Sequence, residues 1–302
     1  MRASAGGAAG SSPPLRVATF NIRNGRAFDW FDSWPLRRRA TAEAVARLDA
    51  DVVALQEVYG FQQRYLLRCL PGWRATGAGR TDGRERGERC AILWRSARLA
   101  LERSVTRWFS DTPDVPGSTG WGNRQPRVVT LARFSDSATG ASFGLADCHL
   151  EGWPPAARFR SAQALVDWLE PGLPWIVAGD LNAEPDDPAV ATLLAAGLRD
   201  ALTAQTVDEA GTVRDSQGGL EGAPGAQSAP GAESSVSPGR SPWPTGFPTT
   251  TGGFSGRGRR RRIDYLFVSR EWTVDEAAVV AGRHDRRLPS DHWPVLATLR
   301  LA

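Results

Sequence analysis

Trp175-Ile-Val-Ala-Gly-Asp-Leu-Asn182 is an apolar run that stops at a glycine and is followed at once by a carboxylate and an amide. A short apolar run bounded by a turn signal reads as a buried strand. Polar groups just beyond the carboxyl end of such a strand stand where α/β sheets hold ligands. The arrangement recurs along the chain. Leu15–Ile22 alternates and places Asn21 at its end, Asp51–Gln56 leads straight into Glu57, and Ser142–His149 ends on a histidine. Strands are also expected at Trp175–Ala178, Cys90–Arg95, Arg127–Phe134, Arg262–Val268 and Trp293–Leu299. Asp264 falls near the start of one of these, and Ser290-Asp291-His292 immediately precedes another.

Helical spacing of apolar residues lies between these strands. Ala40, Ala44, Val45 and Leu48 mark a helix over Pro35–Ala50, with Pro35 suited to the first turn. A second helix covers about Phe61–Leu70 and is stopped by Pro71-Gly72. A third runs from about Pro155 to Glu170, with Phe159, Ala162, Leu165, Val166 and Leu169 on one face. Asp187-Pro188 caps a short fourth helix that Gly197 ends. Strands that alternate with helices, some strands being adjacent, predict an α/β domain built on more than one mixed sheet.

The 302 residues are 41% hydrophobic and 23% charged, a globular composition long enough for a full core. All 37 basic residues are arginine, and the net charge is +4. Coding bias towards Arg, Ala, Gly and Pro explains this without a nucleic-acid partner, so only a clustered basic face would argue for one. No apolar run approaches the roughly 18 residues of a membrane span. Met1–Pro14 lacks the apolar centre of a signal peptide and reads as a disordered arm, which makes the cytoplasm the expected compartment. Residues 203–247, rich in Gly, Pro, Ser, Ala and Gln, read as a low-complexity loop within one domain spanning 15–302. Cys69, Cys90 and Cys148 fit neither a disulfide framework nor a zinc site, and are expected to be reduced thiols, mostly buried.

Scarce residue types sharpen the functional reading. Asn21 and Asn182 are two of only four asparagines, and His149 and His292 two of only three histidines. Each alone has a plain explanation as a cap or a hydrogen-bonded core residue. Their concentration at predicted strand ends marks a single site.

These residues carry a family resemblance. Thr19-Phe-Asn21-Ile-Arg23, Leu55-Gln-Glu57-Val58, Cys148-His149-Leu150, Gly179-Asp180-Leu-Asn182, Arg262-Ile-Asp264-Tyr265 and Ser290-Asp291-His292 occur in the order found in the endonuclease/exonuclease/phosphatase (DNase I-like) superfamily. The stretch Arg107 to Ser118, then Gly120-Trp121 and Pro126-Arg127-Val-Val-Thr130, resembles a bacterial and fungal branch of it. The resemblance implies a four-layer sandwich, two mixed β-sheets face to face with helices outside. It also implies Mg²⁺-dependent cleavage of a phosphate mono- or diester, with Mn²⁺ as an alternative ion. The expected partner is a phosphate-ester substrate, nucleic acid among the options, acted on by a monomer.

Hydrolysing a phosphoester requires neutralised phosphoryl oxygens, an aligned water and a protonated leaving group. On the resemblance, Glu57 is the main metal ligand, with Asn21 beside it and Asp291 as a helper. Asp180 orients or deprotonates water, and Asn182 holds the water or a phosphate oxygen. His292, supported by Asp264, stabilises the transition state, while His149 is the candidate general acid. Which histidine is the main proton carrier stays open. Arg127 either meets the substrate phosphate or makes a surface ion pair. Glu88 either lines the cleft or makes a strand-edge ion pair. Trp121 and Trp153 are candidate stacking platforms in a chain whose tryptophans should mostly be core. Arg257 and Arg259–Arg262 either track a phosphate backbone or form a solvated loop.

The branch usually reads Asn-Thr-His-Leu-Asp-His where this chain has Asp147-Cys-His149-Leu-Glu151-Gly152. A further histidine is absent at Thr251-Gly-Gly-Phe254. Asp147 and Gly152 bear on metal affinity or substrate preference. They are also the sole support for the alternative of a non-catalytic phosphate- or nucleic-acid-binding module.

Overall fold

The computed structural model describes residues 13–204, 249–254, 261–284 and 286–302. Expectations for Met1–Ser12, for most of the 203–247 loop, and for Arg257, Arg259 and Arg260 lie outside the described residues.

Two six-stranded mixed sheets form the centre. The first has the order β11-β12-β1-β2-β4-β3, with β1 Leu15–Asn21, β2 Val52–Val58, β3 Trp73–Thr76, β4 Arg89–Arg95, β11 Trp272–Val279 and β12 Val295–Leu301. The second has the order β5-β6-β7-β8-β10-β9, with β5 Leu99–Trp108, β6 Val128–Asp136, β7 Ser142–His149, β8 Trp175–Asp180, β9 Arg199–Asp200 and β10 Asp264–Val268. Each sheet contains one parallel pair, β1–β2 in the first and β7–β8 in the second. Each pair is joined by a helix, α1 Trp34–Arg47 or α3 Pro155–Trp168, as a parallel connection requires.

Apolar burial separates the four layers. Val17, Val52, Ile92, Phe134, Leu145 and Leu266 belong to the core between the sheets. Ala18, Phe20, Val45, Leu48, Leu55 and Leu66 pack the outer face of the first sheet against α1 and α2 Gly60–Cys69. Phe109, Ala146, Leu165, Val177 and Leu193 do the same for the second sheet, against α3 and α4 Pro188–Ala195. The expected four-layer architecture is present. The Asp187 carboxylate accepts from Ala189 N–H and caps α4. Cys90 and Cys148 are buried, Cys69 is exposed, and all three thiols are free. Among the described residues no helix is long and apolar enough to cross a membrane.

The differences from the predicted elements share a cause. β3, β5, β9 and β11 were not predicted from sequence, and they are the four edge strands of the two sheets. β5, LALERSVTRW, buries only its two end residues and carries Glu102, Arg103 and Arg107. β11 carries Asp275 and Glu276 beside a register shift between Val274 and Glu276. Charge and irregularity protect unpaired strand edges from aggregation, and the same features blur the alternation that identifies a strand.

Candidate active site

Strand register assembles half of the site. On the second sheet His149 pairs with Asp180 across β7–β8, and Asp180 pairs with Asp264 across β8–β10, so three polar residues stand in one line. The close approach of β7 and β8 depends on Gly179: a Cβ there would lie 2.0 Å from the Cys148 carbonyl oxygen. On the first sheet Asn21 ends β1, and Glu57 stands beside it near the end of β2. The β2–β4 register shifts between Leu55 and Val58, and Glu57 adopts a left-handed φ of 62°. A bulge of this kind re-aims a side chain, and strain in a non-glycine residue is characteristic of functional positions.

Asn21 joins the two halves. Its Nδ2 donates to Glu57 Oε1 at 3.0 Å and to Asp180 Oδ2 at 2.9 Å. Glu57 Oε2 accepts from Asn24 N–H at 2.8 Å and from Asn24 Nδ2 at 3.2 Å. Burial alone would raise the Glu57 pKa. The Asn21 amide, the charged His292 imidazole and the Asn24 N–H oppose it and lower the Glu57 pKa. Asp180 has the opposite fate. Burial and the adjacent Asp264 charge outweigh His292, Asn21 and the Asn182 N–H, and its pKa rises to about 7.

The two histidines are equally buried, each 8% exposed, and differ in charge. His292 Nδ1 lies 2.9 Å from Asp264 Oδ2. Burial opposes its charged form, but Asp264, with help from Asp180 and Asp291, raises its pKa well above the ordinary value. His149 Nε2 is 3.1 Å from Asn182 Nδ2 and 3.6 Å from Asp180 Oδ2. Asn182 Nδ2 also donates to the Leu150 carbonyl. An amide nitrogen only donates, so His149 Nε2 accepts and the neutral ring carries its proton on Nδ1. Burial, then Arg127 and Arg80, push the His149 pKa well below ordinary.

Several positioning residues were not read from the sequence. Arg37 is fully buried and donates to the carbonyls of Ile22, Arg23 and Pro289, tying the loop after β1 to the segment before Asp291. It lies on the same helix face as Thr41, which also donates to the Pro289 carbonyl. Thr250 Oγ1 accepts from Ile263 and Asp264 N–H and fixes the start of β10. Ser290 Oγ donates to the Asn21 carbonyl at 2.7 Å. Asn24, the third of four asparagines, was legible by the scarcity already noted for Asn21 and Asn182.

The remaining candidates find definite places. Asp291 turns to the rim, its Oδ2 3.9 Å from Arg23 Nη1. Arg127 Nη2 meets Glu151 Oε1 at 3.2 Å, both side chains being more than nine-tenths buried, so the ion pair is not a surface one. Arg80 and Glu88 pair at 2.8 Å. With Glu57, Arg127 and His149 they line a cavity of about 10 Å³, room for a single water. Trp121 packs against the outer core of the second sheet, while Trp153 is 61% exposed. Gly152 leaves open space, since a Cβ there would come no closer than 3.8 Å to Asn182 Oδ1. Asp147 does not face the cleft. It points into the interior, accepts from Gln56 Nε2 at 2.6 Å and is fully buried.

The donor set suits a hard divalent cation. Glu57, Asp180 and Asp264 offer carboxylate oxygens against one cationic ring, and carboxylate oxygens are what Mg²⁺ binds. Ligand atoms of Asp180, Asp264 and His292 lie within 4.8 Å of one another. The repulsion that raises Asp180 is the kind a cation relieves. Asn21 presents nitrogen to both carboxylates, and its Oδ1 accepts from Arg23 N–H.

Two face-to-face mixed sheets with a buried acid–histidine centre at their strand ends define a DNase I-like hydrolase fold. The chain belongs to the Endonuclease/Exonuclease/phosphatase family, whose pattern it matches over residues 18–292. An endonuclease/exonuclease/phosphatase from Bacteroides vulgatus is similar in structure, with TM-score 0.79, 26% identity, and coverage of 96% of this chain and 99% of that one. A mannosyl-6-phosphatase from Bacteroides thetaiotaomicron has TM-score 0.76 and 26% identity, over 94% and 99% of the two chains. A curated relative, the uncharacterized protein L388 of Acanthamoeba polyphaga mimivirus, is 24% identical over 146 residues. That match spans 45% of this chain and about half, 54%, of the viral protein. Family and neighbours support hydrolysis of ester bonds.

Proposed function

We propose that the protein is a Mg²⁺-dependent phosphoesterase that hydrolyses a phosphate mono- or diester by attack of an activated water. The observation that carries this reading is the line His149–Asp180–Asp264 facing Glu57 across the Asn21 amide. Glu57 would hold the cation, with Asp291 at the rim. A bound Mg²⁺, or Mn²⁺ in its place, would supply Lewis-acid neutralisation of the phosphoryl oxygens.

The chain's own groups divide the remaining work. Asp180, with a pKa of about 7, is poised to take a proton from water at neutral pH. The Asn182 N–H donates to Asp180 Oδ1 at 2.9 Å and fixes the direction of that carboxylate. His292, charged and backed by Asp264, places positive charge against the phosphoryl group and carries a proton for the leaving oxygen. The general-acid role expected of His149 therefore passes to His292. His149, neutral at Nε2, holds Asn182 and the Asp180 side of the site. Arg127, paired with Glu151 through Nε and Nη2, holds a positive charge beside His149 at the edge of the site.

Mannose 6-phosphate and p-nitrophenyl phosphate are the first substrates to test, because the similar Bacteroides protein is a mannosyl-6-phosphatase. Bis-p-nitrophenyl phosphate and plasmid DNA test the diester side. Turnover with Mg²⁺ and none with EDTA is expected, and Asp180→Asn should lower it by roughly 10²- to 10⁴-fold, the range for a lost general base. A wild-type protein no more active than Glu57→Ala on every phosphoester would overturn the proposal.

A further inference from the structure

Close to the catalytic cleft, the loop that leaves β1 carries the most exposed large apolar side chains among the described residues. Phe28, Trp30 and Phe31 are 77%, 73% and 79% exposed, and Leu36, at the start of α1, is 47% exposed. Four such groups within nine residues form an apolar patch, not the scattered single residues that any surface shows.

The loop is built to hold them outward. Trp30 takes a left-handed φ of 49°, a strained conformation for a bulky side chain. Arg23 clamps Asp29 through two hydrogen bonds of 3.2 and 2.9 Å. Asp29 N–H donates to Ser33 Oγ, and Arg287 Nη1 donates to the Phe31 carbonyl at 2.9 Å. An apolar tip braced at four points and still left in water is a device for meeting something.

Charge indicates what it meets. Arg26 lies two residues before Phe28, Arg39 shares a helix face with Leu36 three positions away, and Arg287 stands at the base of the tip. All three are exposed. Of the two acids within the loop, Asp29 is paired with Arg23 and Asp32 is half-buried, leaving the exposed charges around the tip cationic. Aromatic and aliphatic tips ringed by cations match the boundary between anionic headgroups and acyl chains. A base-stacking platform fits less well. The Phe28 and Trp30 rings lie 5.3 Å apart, tilted by 54°, and leave no parallel slot for a base. Leu36 offers no ring face at all.

We propose that Phe28, Trp30, Phe31 and Leu36 form a tip that docks the protein on an anionic lipid surface, with the cleft opening beside it. The same Arg23 that clamps the tip also faces Asp291 at 3.9 Å, so a docked tip would bring the catalytic rim close to the headgroups.

The test is co-sedimentation of the full chain with vesicles of phosphatidylcholine alone or mixed with phosphatidylglycerol. Partitioning onto the mixed vesicles and not the neutral ones is expected. Phe28→Ser/Trp30→Ser/Phe31→Ser should reduce it at least about tenfold. Arg26→Gln/Arg39→Gln should weaken it and flatten its salt dependence. Because the three aromatics are exposed, the triple variant should keep the wild-type circular dichroism and melting temperature. Turnover is not the readout, so failure of the catalytic reading would leave this result intact. Absence of binding to mixed vesicles, or binding unchanged in the triple variant, would overturn the proposal. So would a triple variant whose main defect is lost binding of single-stranded DNA, or a change from dimer to monomer.

Discussion

Glu57 and Asp180 stand at corresponding places in the two sheets, each at the carboxyl end of the second strand of the parallel pair, and their acidities are pushed in opposite directions. Against its burial, the Asn21 amide, the His292 charge and the Asn24 N–H of the loop after β1 lower the Glu57 pKa and keep it ionised. The second sheet gives Asp180 a like-charged neighbour at the same register position, and the pKa climbs to about 7. Pairs of acids pushed apart in this way are how one site obtains both a permanent anion and a proton acceptor. The histidines repeat the division: His292 has a carboxylate at its far nitrogen, while His149 has an amide at Nε2.

The sharpest way to break this comparison is to remove the imidazoles one at a time. His292→Ala should lower kcat/KM by roughly 10²- to 10³-fold, the scale of a lost charge-stabilising group. His149→Ala should cost nearer tenfold, the scale of one lost hydrogen bond in a buried network. Steady-state kinetics on p-nitrophenyl phosphate decides it. The reverse order would return the proton-carrying role to His149.

Asn21 touches both acids and so tests the division at its hinge. Its amide stabilises the ionised forms of Glu57 and Asp180, and Asn21→Ala removes that stabilisation, so both pKa values should rise. The acid limb of the kcat/KM profile should move to higher pH, with a loss of about tenfold near neutrality. A limb that stays in place or moves down would mean that another group sets it.

Much of this was legible in the sequence because it is local. The four parallel strands are central and apolar; β1, β7 and β8 end at or just before a scarce residue type, Asn21, His149 and Asn182, while β2 carries Glu57 near its end. The edge strands were not legible, because β5 and β11 exchange alternation for charge. Nor was the difference between the histidines, since Asp264 lies 28 positions from His292 and meets it only when the sheet carrying β10 packs against the sheet carrying β12. Arg37, buried beneath the loop after β1, is hidden for another reason: in a chain with 37 basic residues, all arginine, one more in Arg37-Arg-Arg looks like surface.

The smallest effect concerns Asp147, which the second sheet buries one step behind His149. Among the described residues its Oδ2 and Gln56 Oε1 both lack partners, while Gln56 Nε2 reaches Asp147 Oδ1 at 2.6 Å. Burial raises the Asp147 pKa well above ordinary, so this carboxyl keeps its proton to higher pH in the folded protein than in the unfolded chain. The unfolded chain releases the proton near pH 4. A carboxyl with a raised folded pKa contributes its full stability below the unfolded value and loses it as pH climbs towards the folded one. The loss runs at up to about 1.4 kcal/mol per pH unit. Asp147→Asn keeps the shape, lets the amide accept from Gln56 Nε2 and donate to Gln56 Oε1, and has no proton to lose. The variant should match wild type near pH 4 and become progressively more stable above it, with kcat/KM at neutral pH changed by less than about threefold. Denaturant melts at several pH values measure the gap. A gap that is flat or that closes as pH rises would mean that Asp147 is ionised in the folded protein.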